Sequence, residues 1–247
     1  MNEAVEEGLL EVRDIVLAGM NAALYALVGY LTHLGVFAIG VGVVRFWPAV
    51  FIPAVFSVVF SPVVGGIGAA VGIFISDMLV HGNALLSLTV GVPANYVCFH
   101  LIGYIARRMA GFKPRLTYVS SIILQALPPL VIVLLYYINL IDLSIALTYL
   151  VISIVSLAPT VVSMTLYKEY IPPSQAVAYT IGLMSGSAII GVGLWFYSQF
   201  LPLPGGVVNA PLAMALIWFM WTYYTEIPFL MILAPPIVKS LETRLKK

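Results

Sequence analysis

The sequence contains very little charge. Of its 247 residues only 9% are Asp, Glu, Lys or Arg, whereas 62% are hydrophobic and the mean hydropathy is +1.08. Water-soluble domains carry about 25% charged residues, so this composition excludes an ordinary soluble globular domain. It predicts a single integral membrane domain over residues 1–247, with lipid as its solvent.

Several motifs that carry chemistry are also missing. The one cysteine, Cys98, excludes an internal disulfide. The chain has no phosphate-binding glycine loop and no nucleophile elbow, and its three histidines are too widely spaced for a metal motif. We therefore expect no enzyme activity, no cofactor, no metal and no nucleic acid partner. Residues 1–14 are acidic, which is not typical of a cleavable signal peptide, so we expect the first span to stay in the mature protein.

Long apolar runs recur along the whole chain. The hydrocarbon core of a bilayer is about 30 Å thick and requires roughly 20 apolar residues per helix. The ten-residue alternation of membrane barrel strands is absent, so the predicted fold class is all-α, a polytopic transmembrane helical bundle with seven or eight hydrophobic segments. The eight candidate segments are 15–38, 46–60, 63–80, 84–106, 117–138, 142–166, 175–200 and 208–238.

The second segment, 46–60, decides the predicted topology. It is short and contains Pro48 and Pro53, so the sequence leaves open whether it crosses. If all eight segments cross, ten of the eleven basic residues lie on one side together with both termini. The positive-inside rule then predicts a cell-membrane protein with a cytoplasmic N-terminal segment, 1–14, and a cytoplasmic basic tail, 239–247. If 46–60 is re-entrant, only the N-terminus changes sides.

Polar residues inside the predicted spans are the candidates for a binding site. Glu226 lies near the middle of the last span, where an unpaired charge is costly, so it is a functional candidate by default. Its neighbours Trp221 and Tyr224 offer flat faces that suit a heterocyclic ligand. In the fourth span, Asn95 and His100 could hydrogen-bond a polar solute. All five also fit a purely structural role between helices, and the sequence leaves both interpretations open.

A further pattern occupies about the first 110 residues. It consists of an Ala22-x-x-x-Ala26 stripe, the tetrapeptide Arg45-Phe46-Trp47-Pro48, and a glycine-rich run over 62–69 that leads to Asp77. This combination resembles the substrate-binding S components of energy-coupling factor (ECF) vitamin transporters. The resemblance implies that Ala22 and Ala26 dock on a transmembrane coupling protein, whereas intramolecular packing is the simpler interpretation of a small-residue stripe. It also implies that Arg45 and Trp47 belong to a lid over a vitamin site.

We therefore expect a membrane transport function. On this hypothesis a vitamin-like, heterocyclic solute binds in an outward-facing pocket, with Arg45 and Trp47 at the mouth and the other contacts from Asn95, His100, Trp221, Tyr224 and Glu226. Since the chain has no ATP-binding motif, uphill transport would require the coupling protein and ATPase subunits. S components usually have fewer spans, so no later binding-site position is transferred from the family. Two alternatives stay open: an assembly subunit of a membrane complex, and a proton-coupled secondary transporter that uses Glu226 and His100.

Overall fold

A computed structural model describes residues 11–34, 40–41, 44–165 and 171–245. The predictions for the N-terminal segment 1–10, for the last two residues of the basic tail, 246–247, and for Lys168, one of the ten basic residues expected on one side, lie outside these ranges. The helices in the described part of the chain are α1 (Val12–Leu34), α2 (Phe51–Val59), α3 (Pro62–Val80), α4 (Ala84–Arg108), α5 (Pro114–Tyr137), α6 (Leu143–Thr165), α7 (Pro173–Ser198) and α8 (Ala213–Leu245). Strands β1 (Gly40–Val41) and β2 (Val44–Arg45) pair antiparallel, with Gly40 opposite Arg45. A 3-10 turn, Pro48–Val50, precedes α2.

Seven of the described helices, all except α2, are long and apolar enough to cross a membrane. Their outer faces carry large apolar side chains, for example Leu27 on α1, Leu130 on α5 and Ile154 on α6, which are each more than half exposed. In water such a surface would drive aggregation, whereas in a bilayer it is the face that lipid solvates. The predicted all-α fold class is thus confirmed, and the chain is a multi-pass membrane protein.

Helices α1 and α3 run parallel to each other. The Asn21 side chain, in the middle of α1, donates hydrogen bonds of 3.2 Å to the carbonyls of Val64 and Gly65 at the beginning of α3. Farther along both helices, Ser76 donates a hydrogen bond of 3.4 Å to the Ala26 carbonyl. Because the contacts follow the same order along both helices, the segment between them must return the chain from the end of α1 to the beginning of α3.

Helix α2 and its 3-10 turn make this return. The twelve residues Pro48–Val59 rise roughly 18 Å, well below the hydrocarbon thickness of about 30 Å. The segment still connects both ends of the bundle, because Arg45 before it pairs with Asp77 at the end of α3, and the Phe60 carbonyl after it accepts a 2.6 Å hydrogen bond from Arg107 at the end of α4. Segment 46–60 is therefore a shortened crossing of the bundle.

The directions of the remaining helices show at which end of the bundle the described chain begins and ends. A Cβ added to Gly182 would lie 2.8 Å from the Cys98 carbonyl, and one added to Gly193 would lie 2.9 Å from Val90, so α7 runs antiparallel to α4. Helix α8 follows the loop 199–212, packs against α7 and runs back. The beginning of α1 and the end of α8 consequently lie at the same end of the bundle as Arg107. Which side of a membrane this end faces stays a prediction.

Candidate functional site

A cavity opens between α1, α3, α4, α7 and α8 at the end of the bundle opposite Arg107. Its volume is about 110 Å³, which is room for several waters and smaller than the roughly 300–1,000 Å³ of sites that enclose drug-sized ligands. Arg45 and His81 lie at the partly exposed mouth, and Glu226 lies at the buried floor.

The mouth is positioned by the β1–β2 hairpin and the residues after it. Trp47 packs over α1, where Gly29 leaves the space for its ring, since a Cβ there would lie 2.0 Å from Trp47 Cζ2. The Trp47 ring meets Tyr25 edge-on at 6.1 Å between ring centroids. The Arg45 guanidinium lies 4.7 Å from the centroid of the Trp47 ring, a cation–π distance. Together these side chains form one wall of the cavity.

Asp77 binds three partners at this mouth. One carboxylate oxygen, Oδ1, pairs with Arg45 Nη2 and lies 3.4 Å from His81 Nε2. The other, Oδ2, accepts a 2.7 Å hydrogen bond from Ser87. The backbone N–H of Asn83 donates to His81 Nδ1 at 3.1 Å, which turns Nε2 toward Asp77. Both carboxylate oxygens of Asp77 therefore have partners at the mouth.

Ser87 reaches Asp77 because α4 contains a π-helical segment, Ser87–Gly91. Pro93 follows this segment and has no N–H to donate to the preceding turn, which favours the wider hydrogen-bonding pattern. Gly91 is also required here, since a Cβ would lie 2.9 Å from Asp77 Oδ2. The π segment therefore shapes the side of the cavity that α4 contributes.

The floor contains one satisfied amide and one unpartnered carboxylate. Asn95 accepts a 2.8 Å hydrogen bond from the Tyr25 hydroxyl and donates one of 2.9 Å to the Gly91 carbonyl. Glu226 on α8 is only 7% exposed, and none of the described residues donates a hydrogen bond to its carboxylate. Ser187 Oγ on α7 is also buried without a partner in the described part of the chain. Buried polar atoms that lack protein partners are typical of a ligand site.

Four of the seven predicted binding residues line this cavity: Arg45, Trp47, Asn95 and Glu226. The other three do not line it. His100 stacks on Tyr96 at 5.5 Å between ring centroids, Trp221 is half-buried between helices, and the Tyr224 hydroxyl donates to the Gln125 carbonyl of α5.

Helix geometry explains which residues on the same helix share the cavity. Successive residues are rotated by about 100°, so Trp221 and Tyr224 point roughly 140° to 160° away from Glu226. Thr222, one turn before Glu226, points in nearly the same direction and lines the cavity. The sequence analysis missed Thr222, although the four-residue spacing from Glu226 was a usable signal. It also missed Ser187, which lies in the glycine-rich α7 and has no such marker.

The alanine stripe of α1 faces the interior of the bundle. Ala22 and Ala26 are 4% and 6% exposed, and both contact α3: a Cβ on Gly72 would lie 2.9 Å from the Ala22 carbonyl, and Ser76 donates to the Ala26 carbonyl. This position favours intramolecular packing as the role of the stripe. Docking of Ala22 and Ala26 on a coupling protein stays a prediction to which this burial adds no support.

Comparison of the chain with protein-family models, with curated proteins and with solved structures gives no match in any of the three. Among the described residues, no group of three His, Cys, Asp or Glu side chains is close enough to hold a metal ion. Fold and site together define a multi-pass helical membrane protein. Its cavity is open at one end and has an unpartnered carboxylate at its floor.

Proposed function

We propose that the protein is a membrane transport component that binds a small solute between Arg45 and Glu226. The observation that supports this proposal is the open cavity, whose lining includes two buried polar atoms without a partner in the described chain, Arg45 Nη1 and Ser187 Oγ. The Glu226 carboxylate also lines it and accepts no hydrogen bond from the described residues. In a bilayer such atoms are costly unless a ligand or water completes them. A solute that enters from the open end would do so.

A second polar cluster, centred on Gln125, lies between helices outside the cavity. The buried Gln125 amide donates to Ser121 and Thr180 at 3.2 Å each and accepts from Thr160 at 3.1 Å. The helices therefore satisfy this interior amide fully, although the hydroxyls of Tyr149 and Tyr223, also away from the cavity, have no partner among the described residues. A buried carboxylate costs more than a buried hydroxyl, so Glu226 is the group that favours a binding component over an assembly subunit.

The direction of binding follows from the charge distribution. The cavity opens at the end opposite Arg107, and the basic residues Arg108, Lys113 and Arg115 cluster close to Arg107 in sequence. Under the positive-inside rule their end faces the cytoplasm, so the mouth faces outward and both ends of the chain are cytoplasmic. The solute is then captured from outside the cell.

The finer proposal is that the solute is a vitamin-like heterocycle and that uptake requires partners. Tyr25, Trp47 and Phe99 give the cavity an aromatic wall, which suits a flat ring. The sequence carries no ATP-binding motif, so accumulation against a gradient needs a transmembrane coupling protein and ATPase subunits, as the resemblance to ECF S components implies. The lipid bilayer is the remaining partner.

The test is to purify the protein in mild detergent, extract it, and identify any bound solute by mass spectrometry. Radiolabelled uptake of that solute into cells is then compared for wild type, Glu226→Gln and Glu242→Gln. Glu242 is an exposed carboxylate on the same helix and serves as the matched control. We expect Glu226→Gln to lose at least about tenfold in uptake, the equivalent of 1.4 kcal/mol, and Glu242→Gln to retain it.

Two results would contradict the proposal. A protein that carries no solute but copurifies with a fixed membrane partner would be an assembly subunit. Equal uptake by wild type and Glu226→Gln would show that transport does not require the Glu226 carboxylate at the cavity floor. Proton-driven uptake by the purified chain alone, in vesicles without partners, would identify a secondary transporter and exclude the coupling-protein version.

A further inference from the structure

We infer, on the basis of the proposed function, that the solute presents a carbonyl-type oxygen, that of an amide or a carboxylate, to Arg45 Nη1. The two terminal nitrogens of this guanidinium differ in their surroundings. Nη2 pairs with Asp77, whereas Nη1 is buried and has no hydrogen-bond partner among the described residues. Glu226 is therefore not hydrogen-bonded to Nη1 either. A guanidinium can donate but not accept, so Nη1 requires an acceptor.

The acceptor atoms that Asp77, Asn95 and His81 contribute to the cavity are already in use. Both carboxylate oxygens of Asp77 have partners, and the side-chain oxygen of Asn95 accepts from the Tyr25 hydroxyl. His81 Nδ1 lies 3.1 Å from the Asn83 backbone nitrogen and has no free lone pair for Arg45 in either protonation state. A buried donor without an acceptor is costly, so an acceptor on the solute stabilises the bound state.

The charge of Arg45 does not restrict this oxygen to an anion. The ion pair with Asp77 balances the guanidinium, so a neutral oxygen is sufficient. An amide and a carboxylate present the same planar acceptor, and this acceptor is the chemistry that they share. The requirement is also independent of the protonation state of Glu226, because Nη1 donates in both states.

A second unpartnered group lies deeper in the cavity. Ser187 on α7 lines the cavity, is fully buried, and its Oγ has no partner in the described chain. A Cβ on the adjacent Gly186 would lie 2.7 Å from Cys98 Cβ on α4, whereas a Cβ on Gly91 would lie 2.9 Å from Asp77 Oδ2 at the mouth. The rise from Gly91 to Cys98 along α4 is roughly 10 Å, so Ser187 lies about that far below the mouth.

Much of the remaining lining is apolar or aromatic. Ile73 and Ile190 contribute to it, together with the rings of Tyr25 and Phe99, which meet edge-on at 5.9 Å between centroids. Such walls pack well against a flat ring. The solute class is therefore a small ring compound with a carbonyl-type oxygen at the mouth and a second polar atom that reaches Ser187.

Cys98 allows a direct test, because it is the only cysteine of the chain and lines this cavity at the depth of Ser187. Purified protein is treated with methyl methanethiosulfonate, a small neutral reagent, and intact-protein mass spectrometry follows the modification. Cys98→Ala gives the background. Three probes of similar shape are titrated as protectants: isonicotinamide, isonicotinate and thioisonicotinamide. All three carry a ring nitrogen for Ser187, but the third has sulfur, a weak acceptor, in place of the oxygen.

We expect isonicotinamide or isonicotinate to half-protect Cys98 at a concentration at least about fivefold lower than thioisonicotinamide, because the sulfur weakens a hydrogen bond from a charged donor. Arg45→Lys keeps a cation beside Asp77 but removes Nη1, so it should reduce this ratio at least about threefold. Arg108→Lys, at an exposed position, is the matched control and should leave the ratio unchanged.

The deeper contact is tested with two serines of α7. Ser187→Ala should weaken protection by all three probes about threefold, because it removes the hydroxyl that meets the ring nitrogen. Ser185 bonds only within its own helix and does not line the cavity, so Ser185→Ala should have no effect. If Arg45→Lys fails to fold, the wild-type ratio and this serine pair decide alone. Equal protection in the two serine variants would overturn the contact with Ser187.

The possible failures can be told apart. Equal protection by all three probes overturns the inference, because the cavity then does not recognise an oxygen acceptor. Modification with no protection by any probe also overturns it, because water alone then completes Nη1. Both results leave the proposed function standing. No modification at all, while the unfolded protein reacts fully, means that the cavity is closed to solution, and that result overturns the proposed function itself.

Discussion

The absent side chain of Gly29 on α1 makes room for the indole of Trp47, the residue that closes one wall of the cavity. A Cβ at this position would lie 2.0 Å from Cζ2 of the ring and 2.5 Å from Cη2, distances that no relaxed packing allows. The position of Trp47 is therefore set by a glycine on a different segment of the chain. This relationship gives the first prediction.

Gly29→Ala should displace the Trp47 ring and destabilise the protein by about 1–3 kcal/mol, the usual cost of overpacking. Thermal unfolding in detergent, followed by tryptophan fluorescence, measures this effect. Gly19→Ala is the matched control on the same helix, because a Cβ there meets nothing within 4 Å. The control should match or exceed wild-type stability, since alanine favours the helix. Equal unfolding temperatures for the two variants would refute the proposed packing.

Arg45 and Asp77 should show strong energetic coupling. Arg45→Gln or Asp77→Asn alone leaves a partly buried charge without its partner, whereas the double substitution removes both charges. A double-mutant cycle on the free energy of unfolding should give a coupling energy of about 0.5–3 kcal/mol. Arg108→Gln with Asp142→Asn, both at exposed positions, is the control cycle and should give a value near zero. Additive effects of the mouth substitutions would argue against the ion pair.

The Gln125 cluster should contribute to stability and leave the cavity unaffected. Ser121 is fully buried, lies 2.6 Å from Thr180 Oγ1 and accepts from Gln125, so Ser121→Ala should cost about 1–2 kcal/mol. Its neighbour Ser120 is exposed and bonds only to its own helix, so Ser120→Ala should change stability by less than about 0.5 kcal/mol. Thermal unfolding measures both, and solute uptake per amount of folded protein should stay at the wild-type value. A change in that uptake for Ser121→Ala would link the cluster to the cavity.

The orientation in the membrane can be measured with single cysteines in the Cys98→Ala background. Ala84 lies at the cavity end of the bundle and Lys113 at the opposite end, and both are exposed. On intact cells a membrane-impermeant maleimide should label Ala84→Cys, whereas Lys113→Cys should react only after the membrane is opened. The reverse pattern would place the mouth in the cytoplasm.

The sequence predicted the helical class and most segment positions because apolar length is a strong local signal in a membrane protein. The predicted segment 63–80 and helix Pro62–Val80 differ by one residue at the start. The segment before it could not be settled, because its length and its prolines fit both a crossing and a re-entrant turn. Only its contacts with α3 and α4 show that it returns the chain.

The site was harder to predict, since it depends on which way each side chain points. Arg45 and Glu226 are far apart in sequence, and they line the same cavity only because α3 and α8 pack around the hairpin. Rarity alone marked His100 as well as Glu226, but His100 stacks on Tyr96 outside the cavity and only Glu226 lines it. Tyr25 and Ser187 carry no unusual sequence signal, so their place in the cavity could be found only from the structure.

The short second crossing also constrains how the protein enters its membrane. Nine helical residues after a 3-10 turn bury too little apolar length for stable insertion alone, and their backbone is held by Ser57, which donates to the Phe99 carbonyl of α4. That partner is synthesised only later. We therefore expect α2 to insert stably only after α3 and α4 have been synthesised, so that the three helices insert as one unit.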